Sequence, residues 1–142
     1  MDIYFAASIR GGGIDPEICS RLVERLRTHG RVFTERICEE VKHADKFADP
    51  DHEIYERDVA WLMSADALVA EVSTPSHGVG YEIAKAEEWG KPVLCLYRRG
   101  SRHRISAMLG GNGNILVVKY DEIYDALKSI DDFVGKVDLT TD

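Results

Sequence analysis

A chain of 142 residues with 44% hydrophobic and 30% charged residues has the make-up of one folded domain over residues 1–142; this excludes a disordered protein and leaves ample apolar material for a core. A formal net charge of -7 excludes a broad nucleic-acid surface, which needs clustered Lys and Arg to neutralise phosphates. The three cysteines, Cys19, Cys38 and Cys95, show neither CxxC nor Cys/His spacing, so neither a disulfide framework nor a zinc site is expected.

Met1 runs straight into Asp2 and a strand-like stretch, and no apolar run nears the ~20 residues of a membrane span. The expectation is a soluble protein of a reducing cytoplasm, without a signal peptide. Residues 2–7, Asp2-Ile3-Tyr4-Phe5-Ala6-Ala7, read as a first, central strand. A loop Ser8-Ile9-Arg10-Gly11-Gly12-Gly13 follows. Asp15 caps the next helix, with Pro16 at its first position. Ile18, Leu22 and Leu26 recur every four residues as a core-facing stripe to about Thr28. Gly30 ends that helix, and Arg31 to Thr34 is a short second strand.

Glu35 to Asp49 is polar with weak helical periodicity, and is read as a mobile segment near the strand ends, a candidate lid. A helix is expected from Asp51 or His52 to Ser64, a third strand over Ala67–Val72, and a helix over Val79–Trp89. Pro92 to Tyr97 is an apolar run typical of a strand buried on both faces. A basic loop from Arg98 to Arg104 precedes a short helix near 105–109. Asn114–Lys119 is the fifth strand, and Asp121–Val134 the closing helix before a frayed polar tail. Strands and helices alternate throughout, which predicts a flavodoxin-like (Rossmann-like) five-stranded parallel sheet, order 2-1-3-4-5, with helices on both faces. In such a sheet the ligand crevice lies where the winding reverses, at the C-terminal ends of strands 1 and 3. Those ends are Ser8 to Gly11 and Ser73 to Gly80.

Both loops are rich in Ser and Gly, so their amides can approach an anion closely, with Arg10 adding a guanidinium. The first matches neither the dinucleotide GxGxxG nor the P-loop pattern. Asp58 lies four residues after Ile54 and four before Leu62, on an apolar stripe. A carboxylate there needs a partner or a task, whereas Glu53, Glu56 and Arg57 fall on the solvated face. Glu82 is placed in the first turn of its helix, where the dipole favours the charged form that a nucleophile needs. Two carboxylates flanking one bond is the arrangement of retaining glycosidases. Tyr4 is core, or its hydroxyl serves the crevice. Ser106 reads as a helix-surface serine. The five histidines, His29, His43, His52, His77 and His103, show no metal spacing, and neither metal nor cofactor is expected.

Together these stretches resemble the 2'-deoxynucleoside 5'-phosphate N-hydrolases of the nucleoside deoxyribosyltransferase superfamily. The residues that carry the resemblance are Tyr4-Phe5, Ser8-Ile9-Arg10-Gly11-Gly12, Glu56-Arg57-Asp58 with Trp61-Leu62, and Ala70-Glu71-Val72 with Pro75-Ser76 and Gly78-Val79-Gly80-Tyr81-Glu82. Leu94-Cys95-Leu96 and Ile105-Ser106-Ala107-Met108 extend it. The resemblance implies hydrolysis of the N-glycosidic bond of a deoxynucleoside monophosphate to a free base and 2-deoxyribose 5-phosphate. It implies Glu82 as nucleophile, Asp58 as the carboxylate that orients it and assists proton transfer, and Tyr4 in support. Ser8, Ile9, Arg10, Gly11, Ser76 and Gly78 would hold the phosphate, and Ile54 would lie against the base. Ser106 would be donated by the second subunit of a homodimer, reversing its surface reading. The chain departs from the family pattern at Ala7, at His77 and over residues 35–50. Other readings are a ribonucleotide hydrolase acting on substrates such as CMP, a deoxyribosyltransferase, or a nucleotide sensor without turnover.

Overall fold

Five consecutive buried residues, Ile3 to Ala7, fix the first strand at the centre of the computed structural model, which describes residues 1–9, 13–43 and 49–140. In chain order the elements are β1 (Asp2–Ala7), α1 (Pro16–Arg27), β2 (Arg31–Val32), α2 (Ile37–Lys42), α3 (Asp51–Ser64), β3 (Ala67–Glu71), α4 (His77–Glu88), β4 (Val93–Arg98), α5 (Ala107–Gly110), β5 (Leu116–Tyr120) and α6 (Ile123–Thr140). The strands form one sheet in the order β2-β1-β3-β4-β5, every pair parallel. This is the expected flavodoxin-like order.

Side chains of a strand alternate between faces, so each strand supplies two cores. Ile3, Phe5, Val69, Leu94 and Leu96 pack with Leu22 and Leu26 of α1 and Ile130 and Phe133 of α6. Tyr4, Ala6, Leu68, Ala70 and Cys95 pack with Leu62 of α3 and Val79, Ile83 and Ala86 of α4. Most of the candidate site described below grows from this second face, from α3 and α4. The winding reverses between β1 and β3, which run side by side from Ile3↔Ala67 to Ala7↔Glu71.

Several boundaries differ from expectation, each for a local reason. The second strand stops at Val32, yet Thr34 continues the edge with its side chain: Phe5 N donates to Oγ1 at 3.0 Å and Oγ1 donates to Phe5 O at 2.6 Å. The fourth helix starts at His77 because Ser76 caps it, its Oγ accepting from Val79 N at 3.3 Å. The last helix reaches Thr140, with Val134 and Val137 still buried, so the stripe begun at Ile130 replaces the expected frayed tail. Residues 37–42, expected in a mobile strip, are a helical turn and a half anchored by buried Ile37 and Cys38; residues 44–48 lie outside the described part.

The cysteine expectation is corrected as well. Cys19 of α1 and Cys38 of α2 form a disulfide, with Cα atoms 5.7 Å apart, while Cys95 is free and buried. A separation of 19 residues has no signature in the chain, because packing of α2 on α1 is what brings the pair together. Among the described residues no helix is long and apolar enough to cross a membrane.

Candidate active site

Beyond the ends of β1 and β3, a cavity of about 740 Å³ opens between α3 and α4. Its lining includes Ala7 and Ile9 from the end of β1, Glu40 of α2, and Asp49 just before α3. Ile54, Tyr55, Arg57, Asp58 and Leu62 come from α3, and Pro75, Ser76, His77, Gly78, Tyr81 and Glu82 from the β3–α4 turn and α4. Tyr55 and Tyr81, 53% and 45% exposed, stand at the rim with hydroxyls 3.4 Å apart.

Glu82 and Asp58 face one another across this space because α3 and α4 both lie on the second face of the sheet. Tyr4, 1% exposed on β1, rises from beneath and hydrogen-bonds the Glu82 carboxylate. Burial pushes Glu82 up to about 7; the neighbouring Asp58 charge pushes the same way, and the Tyr4 bond opposes them. Asp58 is also raised by burial, but the Arg57 hydrogen bond and charge hold it back. Burial, with the charges of Glu82 and Asp58, drives the Tyr4 phenol far above its ordinary value. The phenol therefore stays protonated and donates. Two carboxyls with different environments, one of them bonded by a protonated phenol, can divide acid, base and nucleophile roles.

This geometry corrects one reading of Glu82. With Ser76 as cap and His77 as first helical residue, Glu82 belongs to the second turn, beyond the strongest reach of the helix dipole. Its charged form is disfavoured by burial rather than favoured by the helix end. Its tendency to hold a proton near neutrality comes from the cavity wall.

Of the residues singled out in the sequence, Ile9, Ile54, Asp58, Ser76, Gly78 and Glu82 line the cavity, and Tyr4 bonds to Glu82. Ser8 is buried beside it, 1% exposed, with its carbonyl accepting from Ile14 N at 3.0 Å. Arg10 and Gly11 lie outside the described residues. Ser106 is exposed and caps α5, accepting from Met108 N at 3.2 Å; it does not line this cavity. Among the described residues no group of three or more His, Cys, Asp or Glu side chains is arranged to hold a metal ion.

One residue escaped the sequence reading. Arg57, expected on the solvated face, lines the cavity, donates from Nε to Asp58 Oδ1 at 3.0 Å, and lies over the Trp61 ring at 5.0 Å from its centre. The signal was present in the spacing of Arg57 and Trp61, four residues apart and thus on one helix face.

A family model described as "Nucleoside 2-deoxyribosyltransferase" matches residues 3–130. The chain is 49% identical over 111 residues to the Mus musculus 5-hydroxymethyl-dUMP N-hydrolase, an overlap of 77% of this chain and 64% of that protein. It thus spans somewhat under two thirds of the mouse relative's length. A Tetraodon nigroviridis protein of the same name is 42% identical over 141 residues, 90% of this chain and 95% of that one. Among solved structures, a CMP N-glycosidase from Clostridium botulinum superposes with a TM-score of 0.65 over 92% of this chain and 99% of its own, at 17% identity. At that identity the likeness speaks for the fold.

Proposed function

The chain belongs to the nucleoside 2-deoxyribosyltransferase family, and from that premise we propose that it hydrolyses the N-glycosidic bond of a 2'-deoxynucleoside 5'-monophosphate. The products are the free base and 2-deoxyribose 5-phosphate, and residues 1–142 act as one catalytic domain. The observation that carries the reading is the Glu82–Tyr4–Asp58 cluster on the wall of a cavity large enough for a nucleotide. The relatives named N-hydrolases of a deoxyuridine monophosphate supply the reaction class.

In the proposed reaction the ionised Glu82 carboxylate attacks C1' of the sugar. The bond from C1' to the base nitrogen breaks and its electron pair leaves with the base. The sugar is then held as an ester of Glu82, steadied by the Tyr4 hydroxyl. Water attacks C1' next: Asp58 takes its proton, the ester bond breaks, and Glu82 regains its charge. Asp58 then hands that proton to the base anion, which stays in the cavity until this step, so one water is consumed and both carboxylates return to their starting state.

The 5'-phosphate is assigned to the ends of β1 and β3. Ser76 Oγ accepts from Val79 N, which leaves its O–H to donate to a phosphate oxygen, beside the amide of Gly78 at the start of α4. Ser8 and Ile9, which follow β1, are assigned to the same phosphate together with Arg10 and Gly11, the next residues of the chain, and Ile54 is assigned to the base. Ser106, which does not line the cavity of its own chain, is assigned to the phosphate of a second copy in a homodimer. Glu82→Ala and Ser106→Ala subunits, each inactive alone, regain activity on mixing if that assignment holds.

The reading is tested by incubating the protein with deoxy- and ribonucleoside monophosphates and with unphosphorylated deoxynucleosides, with and without an acceptor base, and separating free base by chromatography. Base release from at least one deoxynucleoside monophosphate, and little from the matching nucleoside, is the expected result. No base from any monophosphate overturns the proposal.

A further inference from the structure

Arg57 is held more tightly than a solvated arginine needs to be. Glu53, four residues earlier on α3, offers the ordinary ion pair of a helix surface. The guanidinium is turned instead toward its immediate neighbour in sequence, Asp58, although adjacent helix positions do not face each other. Its Nε donates to Asp58 Oδ1 at 3.0 Å, and its Nη1 stands 3.6 Å from Asp49 Oδ2. The group lies over the ring of Trp61. Trp61 is itself stacked on Phe33, ring centres 6.4 Å apart and planes 13° from parallel, and Arg31 covers Phe33 at 4.3 Å. Indole ring and carboxylate thus clamp the guanidinium in one orientation.

We propose that Arg57 is a positioning residue for the reaction above: braced by Trp61 and Asp49, it fixes Asp58 in the orientation from which Asp58 serves Glu82 and the attacking water. The inference rests on the hydrolase reading and names a residue that reading leaves without a task. Oδ1 of Asp58 is occupied by Arg57, which fixes the rotation of the carboxylate and so where its second oxygen points. The charge matters as well. Glu82 of α4, Glu40 of α2, Asp49 and the phenol of Tyr4 lie around Asp58 and Arg57; Arg36 acts on Glu40, and Arg57 is the cation bonded to Asp58 itself. Burial favours a protonated Asp58, which could not accept a proton from water. The bonded guanidinium favours the ionised form.

The test compares Arg57→Lys, Arg57→Met and Trp61→Leu with the wild type, on whichever monophosphate is hydrolysed and by NMR titration of the Asp58 carboxyl carbon without substrate. In Arg57→Met, kcat falls about 10- to 100-fold while KM moves by less than about threefold. The Asp58 titration moves up by about one pH unit. Arg57→Lys restores the titration, since the charge is back, but only part of kcat, because an ammonium lacks the planar fork. Trp61→Leu keeps the arginine, removes its brace and lowers kcat in the same direction. An unmoved Asp58 titration in Arg57→Met overturns the proposal, as does a loss confined to KM. If the wild type releases no base, the functional reading fails, whereas the titration still decides whether Arg57 governs Asp58.

Discussion

Two glutamate–tyrosine pairs sit on opposite faces of the same sheet, and they have been put to different use. Glu71, at the end of β3, is 3% exposed and accepts from the hydroxyl of Tyr120 on β5. It also accepts from Ser73 N at 2.7 Å and from Ser73 Oγ at 3.0 Å, and that Oγ accepts in turn from Arg98 N at 2.8 Å. The network ties the ends of β3, β4 and β5 together. Glu82 accepts from Tyr4 on the other face, but it stands on a cavity wall opposite a second carboxylate. Burial raises both glutamates; several hydrogen bonds restrain Glu71, whereas Asp58 pushes Glu82 further, to about 7. A buried carboxylate bonded by three donors holds a structure together. One left facing open space beside a like charge is poised to change protonation.

That contrast breaks if the two glutamates respond alike to substitution. Glu82→Gln, which keeps shape and loses the nucleophile, lowers kcat by about 10³-fold or more in the base-release assay. Glu71→Ala leaves three donors facing an emptied site and costs about 2–4 kcal/mol of stability in denaturant unfolding. Its folded fraction keeps kcat to within about threefold. The smallest effect is the most diagnostic. The folded pKa of Glu82, about 7, lies above its ordinary 4.5, so folding binds that proton more tightly. The stability this confers is fully present below pH 4.5 and is lost as pH rises toward 7. Glu82→Gln, which stays neutral, therefore matches the wild type near pH 4 and exceeds it at pH 8 by no more than about 3 kcal/mol. An equal gap at both values would put the origin of the effect in packing rather than ionisation.

Much of this was legible in the chain because the fold follows from local patterns. The apolar runs at Ile3–Ala7 and Val93–Tyr97 are buried on both sides, and burial on both faces erases alternation, leaving strands easy to recognise. Asp58 stood out because a charge on the Ile54–Leu62 stripe breaks helix periodicity. What escaped was tertiary for the cysteines and a matter of side-chain reach for Arg57. Nothing around Cys19 or Cys38 signals a partner, since α2 itself, with only Ile37 and Cys38 buried, has too few apolar positions to show a period. Arg57 read as a surface residue because helix position predicts where a Cβ points; an arginine is long enough to fold back over Trp61. The charge state of Glu82 was misjudged through a boundary of two residues. A start at Val79 places it near the helix dipole, whereas the cap at Ser76 moves it out of reach and leaves burial to decide.

The central claim is that Glu82 bonds covalently to the sugar during turnover. It is tested most directly by rapid acid quench of enzyme with saturating deoxynucleoside monophosphate, followed by peptide mass spectrometry. The account predicts a 2-deoxyribose 5-phosphate adduct on the peptide containing Glu82, formed and lost at rates matching base release and absent from Glu82→Gln. Base release at wild-type rate by Glu82→Gln, or an adduct on another residue, would contradict it.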